Sequence, residues 1–289
     1  MFKTFFRGIL IHFSVCASAL TLIFIIQYFL VYFSRTVHHD QISVSLCMEY
    51  IAIYLLWTFS VSFPIAGLFG ASSLYISRFR KKNSPQVQEF GTSGFSKLTG
   101  FLMPSVVLGT LIFLVCMALM LFFLPYANTR ACRIIDTADT GSSIPRSEKS
   151  DRELGLSELL QKADQLSIES GSADRQKKTE LLLKKAQYMI EAYKLFAIPL
   201  LGFLLPIVGA LLALMFSRLR WGQRILLFLF DIFILALVWF MLIVGETWGD
   251  RGLISPFAAM FSSPAIVAVI IAALIMRTRG ILASNKAFL

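Results

Sequence analysis

Six apolar stretches constrain this chain more than anything else in it: Ile9–Phe33, Ile51–Ile76, Phe101–Leu124, Leu195–Phe216, Ile225–Val244 and Ser255–Met276. A helix rising about 1.5 Å per residue needs roughly 20 mostly apolar residues to cross a bilayer's hydrocarbon core, and each stretch qualifies. Backbone groups find no water there, so the spans are helices and the fold class is an all-α polytopic membrane protein. The composition agrees, with 57% hydrophobic and only 15% charged residues, against about 45–50% and about 25% in soluble domains. The first stretch follows Lys3 and Arg7 and passes Ala17-Ser18-Ala19, as a signal peptide would. Its apolar run is about twice an h-region in length and continues to Phe33, so it reads as an anchor. Pro256 and Pro264 interrupt the outer part of the last span.

Charge sets the expected topology. The N-terminus, the connections at 77–100 and 217–224 and the C-terminus hold 13 Lys/Arg and one acidic residue, Glu89. The opposite side holds 14 Lys/Arg against 15 Asp/Glu, and Asp231 lies within the fifth span. Basic residues stay in the cytoplasm, which predicts both termini inside (N-in, C-in) and a large outer segment between the third and fourth spans. The net charge of +10 is thus a topology signal with anionic headgroups as its partner, and nucleic acid is not required. The chain divides into 1–125, three spans with an inner-side helix at about 84–98; 126–194, an outer segment, disordered at its start and then helical; and 195–289, three further spans.

The 84–98 helix begins at Ser84 and Pro85, a cap and a first-position proline. Phe90, Gly91 and Gly94 lie on its apolar side, Gln86 and Glu89 on its polar side. It reads either as an amphipathic helix on the bilayer surface or as a docking helix for a cytoplasmic partner. In the outer segment, a turn-rich stretch around Asp136–Pro145 precedes Leu154, Leu156, Leu159, Leu160 and Leu166 in one short helix, which Gly171 ends. A longer helix runs from about Asp174 towards the fourth span, and no alternating strand pattern occurs.

Chemistry is sparse. There is no Walker A loop, no G-x-S-x-G and no H-E-x-x-H, and no catalytic, cofactor or metal residues are assigned. The cysteines (Cys16, Cys47, Cys116, Cys132) lack metal-ligand spacing, and Cys47 and Cys132 share the outer side, where an oxidising compartment permits a bridge. Asp231 is costly inside a span. It reads either as a structural charge, paired with Arg224 seven residues earlier or snorkelling to the boundary, or as a coupling group. Arg35, at the outer end of the first span, reads as an interfacial anchor or as a contact to a lipid headgroup.

Two ordered sets of residues resemble the LptF/LptG (YjgP/YjgQ) permease family. The first runs from Phe63-Pro-Ile-Ala-Gly-Leu-Phe-Gly70 through Gly94-Phe-Ser96 and Pro104 to Leu124-Pro-Tyr-Ala-Asn-Thr-Arg130. The second comprises Gly155-Leu-Ser-Glu-Leu-Leu160, Glu191-Ala-Tyr-Lys-Leu-Phe-Ala-Ile-Pro199 and Gly245-Glu-Thr-Trp-Gly-Asp-Arg-Gly-Leu-Ile-Ser-Pro256. The resemblance implies a multi-pass protein of the bacterial inner membrane, one permease subunit of an ABC transporter for lipopolysaccharide or a related glycolipid. It also implies a second LptF/LptG-like permease, an LptB-like ATPase dimer that holds the ATP-Mg, and an LptC/LptA-like periplasmic bridge. The 84–98 segment then becomes the coupling helix, with Gln86, Glu89, Phe90, Gly91 and Gly94 facing the ATPase, and the first and fifth spans gate a lipid cavity. The family's periplasmic β-jellyroll has no counterpart in the pattern, and Gln86 stands where the family usually has an acidic residue. Two other readings remain: a stand-alone secondary transporter or channel, with Pro64–Gly70 and Pro199–Pro206 in matching places of the two halves, and an envelope scaffold.

Overall fold

The computed structural model describes residues 2–28, 44–79, 95–130, 154–172, 174–216 and 223–286. The chain is a bundle of helices: α1 (Phe2–Tyr28), α2 (Val44–Phe79), α3 (Phe95–Ala118), α4 (Leu156–Ser172), α5 (Arg175–Phe216), α6 (Gln223–Asp250) and α7 (Pro256–Lys286). No strand occurs among the described residues. All of these except α4 are long and apolar enough to cross a membrane, which makes the protein an all-α, multi-pass membrane protein. The described basic residues Arg7, Arg78, Arg224 and Arg277 mark one end of the bundle, and the α4–α5 hairpin marks the other.

α5 is the central pillar. It packs against α2, α3, α4, α6 and α7, and 72% of its most apolar window is buried, against 11% for α1 and 22% for α6. It runs unbroken from Arg175 to Phe216, so the base of the hairpin and the fourth span form one rod. Small residues let its neighbours close in. A Cβ on Gly209 would overlap the Leu68 carbonyl oxygen and lie 2.8 Å from Ser72 Oγ, so α5 seats against α2 only because that position is glycine.

Pro64 interrupts the ladder of helix hydrogen bonds, and a side chain from another helix approaches the carbonyl it frees; near two further prolines, side chains bond carbonyls of neighbouring helices. Pro64 has no N–H for the Ser60 carbonyl, and Cys116 Sγ of α3 approaches that oxygen at 3.8 Å. Near Pro104, Tyr75 Oη donates to the Phe101 carbonyl at 2.7 Å and accepts from Ser105 Oγ at 3.1 Å. Ser263 Oγ, beside Pro264, donates to the Val238 carbonyl of α6 at 3.1 Å. Directly after α3, a widened π-turn at Leu119–Phe123 ends one residue short of Pro125, which has no N–H to donate. The Leu124 N–H reaches back to the Leu119 carbonyl instead, and 124–130 continue as helix.

The stretch from Gly245 to Pro256 has a plain mechanical meaning. Gly252, at φ +70°, ends α6: its N–H bonds to the Gly249 carbonyl and that of Leu253 to the Trp248 carbonyl, both at 2.9 Å. This is a Schellman closure, which favours glycine at that position. Ser255 Oγ then accepts from the Ala258 N–H at 3.3 Å and Pro256 takes the first position of α7. The two prolines expected to interrupt the sixth span instead open it and sit inside it without breaking it.

Candidate functional site

The α2–α6 pair organises the site. At its foot, Ser72 Oγ of α2 donates to Asp231 Oδ1 of α6 at 3.0 Å, and Asp231 is 1% exposed. One of the readings that the sequence left open paired Asp231 with Arg224. The structure corrects it: Arg224 is exposed towards the basic end, about 10 Å along the axis, and Ser72, on another helix, supplies the hydrogen bond. A helical face read within one helix cannot reveal a partner that tertiary packing supplies. Phe69 and Phe228, ring centroids 5.6 Å apart, meet near the same level.

Towards the hairpin end, α2 and α6 diverge around a cavity of about 510 Å³. Its lining residues that are also exposed are Trp57 (40%) on α2 and Trp239 (43%) and Ile243 (54%) on α6, so the opening lies between these two helices. α5 forms the back wall through Leu195 and Ile198. The π-turn segment of α3 adds Met120, Leu124 and Asn128, and Leu154 and Leu159 roof the cavity. Met120, Leu154, Leu159, Ala192 and Leu195 form one buried cluster, so the outer hairpin and the membrane bundle share a core.

The polar residues that converge here come from two places in the chain. Lys194 Nζ of α5 meets Glu191 Oε1 at 2.8 Å and Glu246 Oε1 of α6 at 2.6 Å. Its side chain is 18% exposed, so its Coulomb attraction to the carboxylates is less screened than in a surface pair. Sequence reasoning missed this triad. A signal was present: Lys194 immediately precedes the fourth apolar run and Glu246 closely follows the fifth, so both fall at one boundary of the bundle. The other sequence-derived candidates cannot be placed. Gln86, Glu89, Phe90, Gly91 and Gly94, Arg35, the side chain of Cys47 and all of Cys132 lie outside the described residues; only the end of the 84–98 segment appears, as the start of α3 at Phe95.

Spans packed round a pillar, with a laterally open apolar cleft, define a multi-pass membrane protein built to meet lipid. The profile described as lipopolysaccharide export system permease LptF/LptG matches residues 133–277, from the outer segment through the last span. The chain belongs to this family of transport permeases. The matched residues contain α4 to α6, the triad and the Gly252–Pro256 turn; the stretch from Phe63 to Arg130 lies before them. No curated protein matches the chain.

Proposed function

We propose that the chain is one permease subunit of an ABC transporter that extracts lipopolysaccharide or a related glycolipid from the bacterial inner membrane. A second LptF/LptG-like permease completes the transmembrane unit, an LptB-like ATPase dimer supplies the energy and an LptC/LptA-like bridge receives the lipid. Family membership supports this reading, and the observation that carries it is the cleft between α2 and α6, largely apolar and opening sideways at Trp57 and Trp239. Charge supports N-in, C-in orientation, with the basic end in the cytoplasm and the hairpin outside.

In this reading, ATP binding at the partner presses on the 84–98 segment through Gln86, Glu89, Phe90, Gly91 and Gly94. The two sparsely buried helices, α1 and α6, move against the second permease, and Arg35 meets lipid phosphates. The test is co-purification with an ATPase and a second permease, followed by lipid-stimulated ATP hydrolysis in nanodiscs. Glu89→Lys and Gly91→Trp are expected to abolish the stimulation while the chain stays folded. Full stimulation in both variants would overturn the assignment of that segment, and absence of any associated ATPase would overturn the exporter reading.

A further inference from the structure

The cleft holds less than a membrane lipid needs. Its volume of about 510 Å³ has room for roughly 17 water-sized groups at about 30 Å³ each, the bulk of one hydrocarbon chain. A lipid with two or more chains enters only if a wall gives way. The back wall is the pillar α5, held between α2, α3, α4, α6 and α7. The wall with a joint in it is the continuation of α3 through residues 119–130.

Below that joint α3 is clamped. A Cβ on Gly109 would overlap the Phe203 carbonyl oxygen, and Ile112, 2% exposed, fills the space left by Gly67 of α2 and Gly202 of α5. At the joint the ladder loosens twice in succession: the Leu124 N–H bonds five residues back to the Leu119 carbonyl, and Pro125 contributes no N–H. Bends in helices concentrate at such widened turns and at prolines. Beyond it, Thr129 Oγ1 donates to the Pro125 carbonyl at 2.9 Å, which keeps residues 124–130 one helical piece. That piece turns Leu124, Pro125 and Asn128 to the cleft, while Phe122, Phe123 and Tyr126 are exposed. Moving it outward transfers apolar side chains from protein to acyl chains, which carries no hydrophobic penalty in a bilayer. We propose that the widened turn is a hinge on which residues 124–130 swing away from the α4–α5 hairpin, opening the cleft to a lipid with more than one chain. The inference deepens the permease reading, on which it rests for its cargo, by naming the wall that moves.

The swinging piece is about 10 Å long, so a rotation of about 30° carries its tip roughly 5 Å. The experiment places spin labels on Tyr126→Cys and Ile168→Cys, both exposed positions, in the full chain with Cys16, Cys47, Cys116 and Cys132 replaced by alanine. In dodecylmaltoside micelles, whose single chains fit the cleft, double electron–electron resonance should give one distance. Nanodiscs of phosphatidylethanolamine and phosphatidylglycerol should add a second, about 5 Å longer. A label on Leu111→Cys in place of Tyr126→Cys, below the hinge, should keep one distance in both. Deleting Phe122 removes the extra residue of the turn and leaves residues 124–130 in register; Pro125→Ala restores the N–H at unchanged length. Both should suppress the longer distance. With Trp221→Phe and Trp248→Phe, Trp57 and Trp239 report on the cleft that they line, and the deletion should lower their quenching by brominated phosphatidylethanolamine. A single distance in nanodiscs, the same lengthening from Leu111, or a longer component that survives both variants overturns the hinge. Quenching untouched by the deletion overturns its link to the cleft. None of these readouts needs an ATPase, so a working hinge in a chain that associates with no ATPase would count against the exporter reading alone.

Discussion

Ser72→Ala is the cleanest probe of the α2–α6 foot. It removes one oxygen, opens little space and leaves the Asp231 carboxyl 1% exposed, without the hydroxyl that bonds it at 3.0 Å. A buried polar group stripped of its partner costs about 1–3 kcal/mol. Interhelical hydrogen bonds within membranes average about 0.6 kcal/mol and reach about 1.7, because the unfolded state also finds partners. Asp231 is nearly inaccessible and Ser72 is its hydrogen-bond partner among the described residues, so the upper part of that range applies. Ser72→Ala should therefore destabilise the chain by about 1.5 kcal/mol. Replacing both groups, Ser72→Ala with Asp231→Leu, should recover most of the loss, because no buried polar atom is then left unpaired. The assay is equilibrium unfolding in mixed detergent–SDS micelles, followed by far-UV circular dichroism for the wild type, both single variants and the double. A Ser72→Ala loss below about 0.3 kcal/mol, or strict additivity across the cycle, would refute the reasoning.

Two further outcomes follow from the packing. Gly209→Ala drives a Cβ into the Leu68 carbonyl oxygen and crowds Ser72 Oγ; the overpacking should cost about 1–3 kcal/mol, measured in the same unfolding assay, and a neutral result would mean that α5 and α2 do not approach so closely. Gly252→Ala, at φ +70°, should cost about 1–2 kcal/mol through the left-handed penalty, with Gly252→Asn milder; equal losses in the two variants would argue against the Schellman closure.

The spans were legible in the sequence because hydrophobic length is a one-dimensional property: Leu195–Phe216 and Ile225–Val244 fall inside α5 and α6. The helical return was legible in the spacing of Leu156, Leu159 and Leu160, although Leu154, expected in the same helix, precedes α4. What stayed hidden are relations between helices. Asp231 stood out as costly, but Ser72 is 159 positions away, and nothing in α6 points to it. Lys194 and Glu246, 52 positions apart, met only once α5 and α6 were set side by side. The π-turn escaped because Leu119–Phe123 has the composition of any apolar helix; Pro125 just after it was the sole hint. The jellyroll's absence was read from pattern alone, and residues 131–153, where a jellyroll would begin, lie outside the described structure.

The position of the cleft along the bundle leads to a last prediction. Arg224 marks the basic end of α6 and Trp239 the level at which the side opening begins, and the 15 residues between them amount to about 22 Å of helix. Half of a hydrocarbon core is about 15 Å, so acyl chains of lipids whose headgroups lie at the basic end stop short of the opening. Between the basic end and the opening, the Ser72–Asp231 hydrogen bond and the Phe69–Phe228 ring contact hold α2 and α6 together. Lipid should therefore enter only from the leaflet on the hairpin side. Proteoliposomes of uniform protein orientation, with brominated phosphatidylethanolamine confined to one leaflet, test this directly. Quenching of Trp57 and Trp239 should appear when the hairpin-side leaflet carries bromine and stay near background when the other does. Ser72→Ala with Phe69→Ala, which removes both contacts, should raise the second signal towards the first. Equal quenching from both leaflets in the unaltered chain would show that the foot is no barrier, and the cleft would then be a passage between leaflets instead of a pocket facing one.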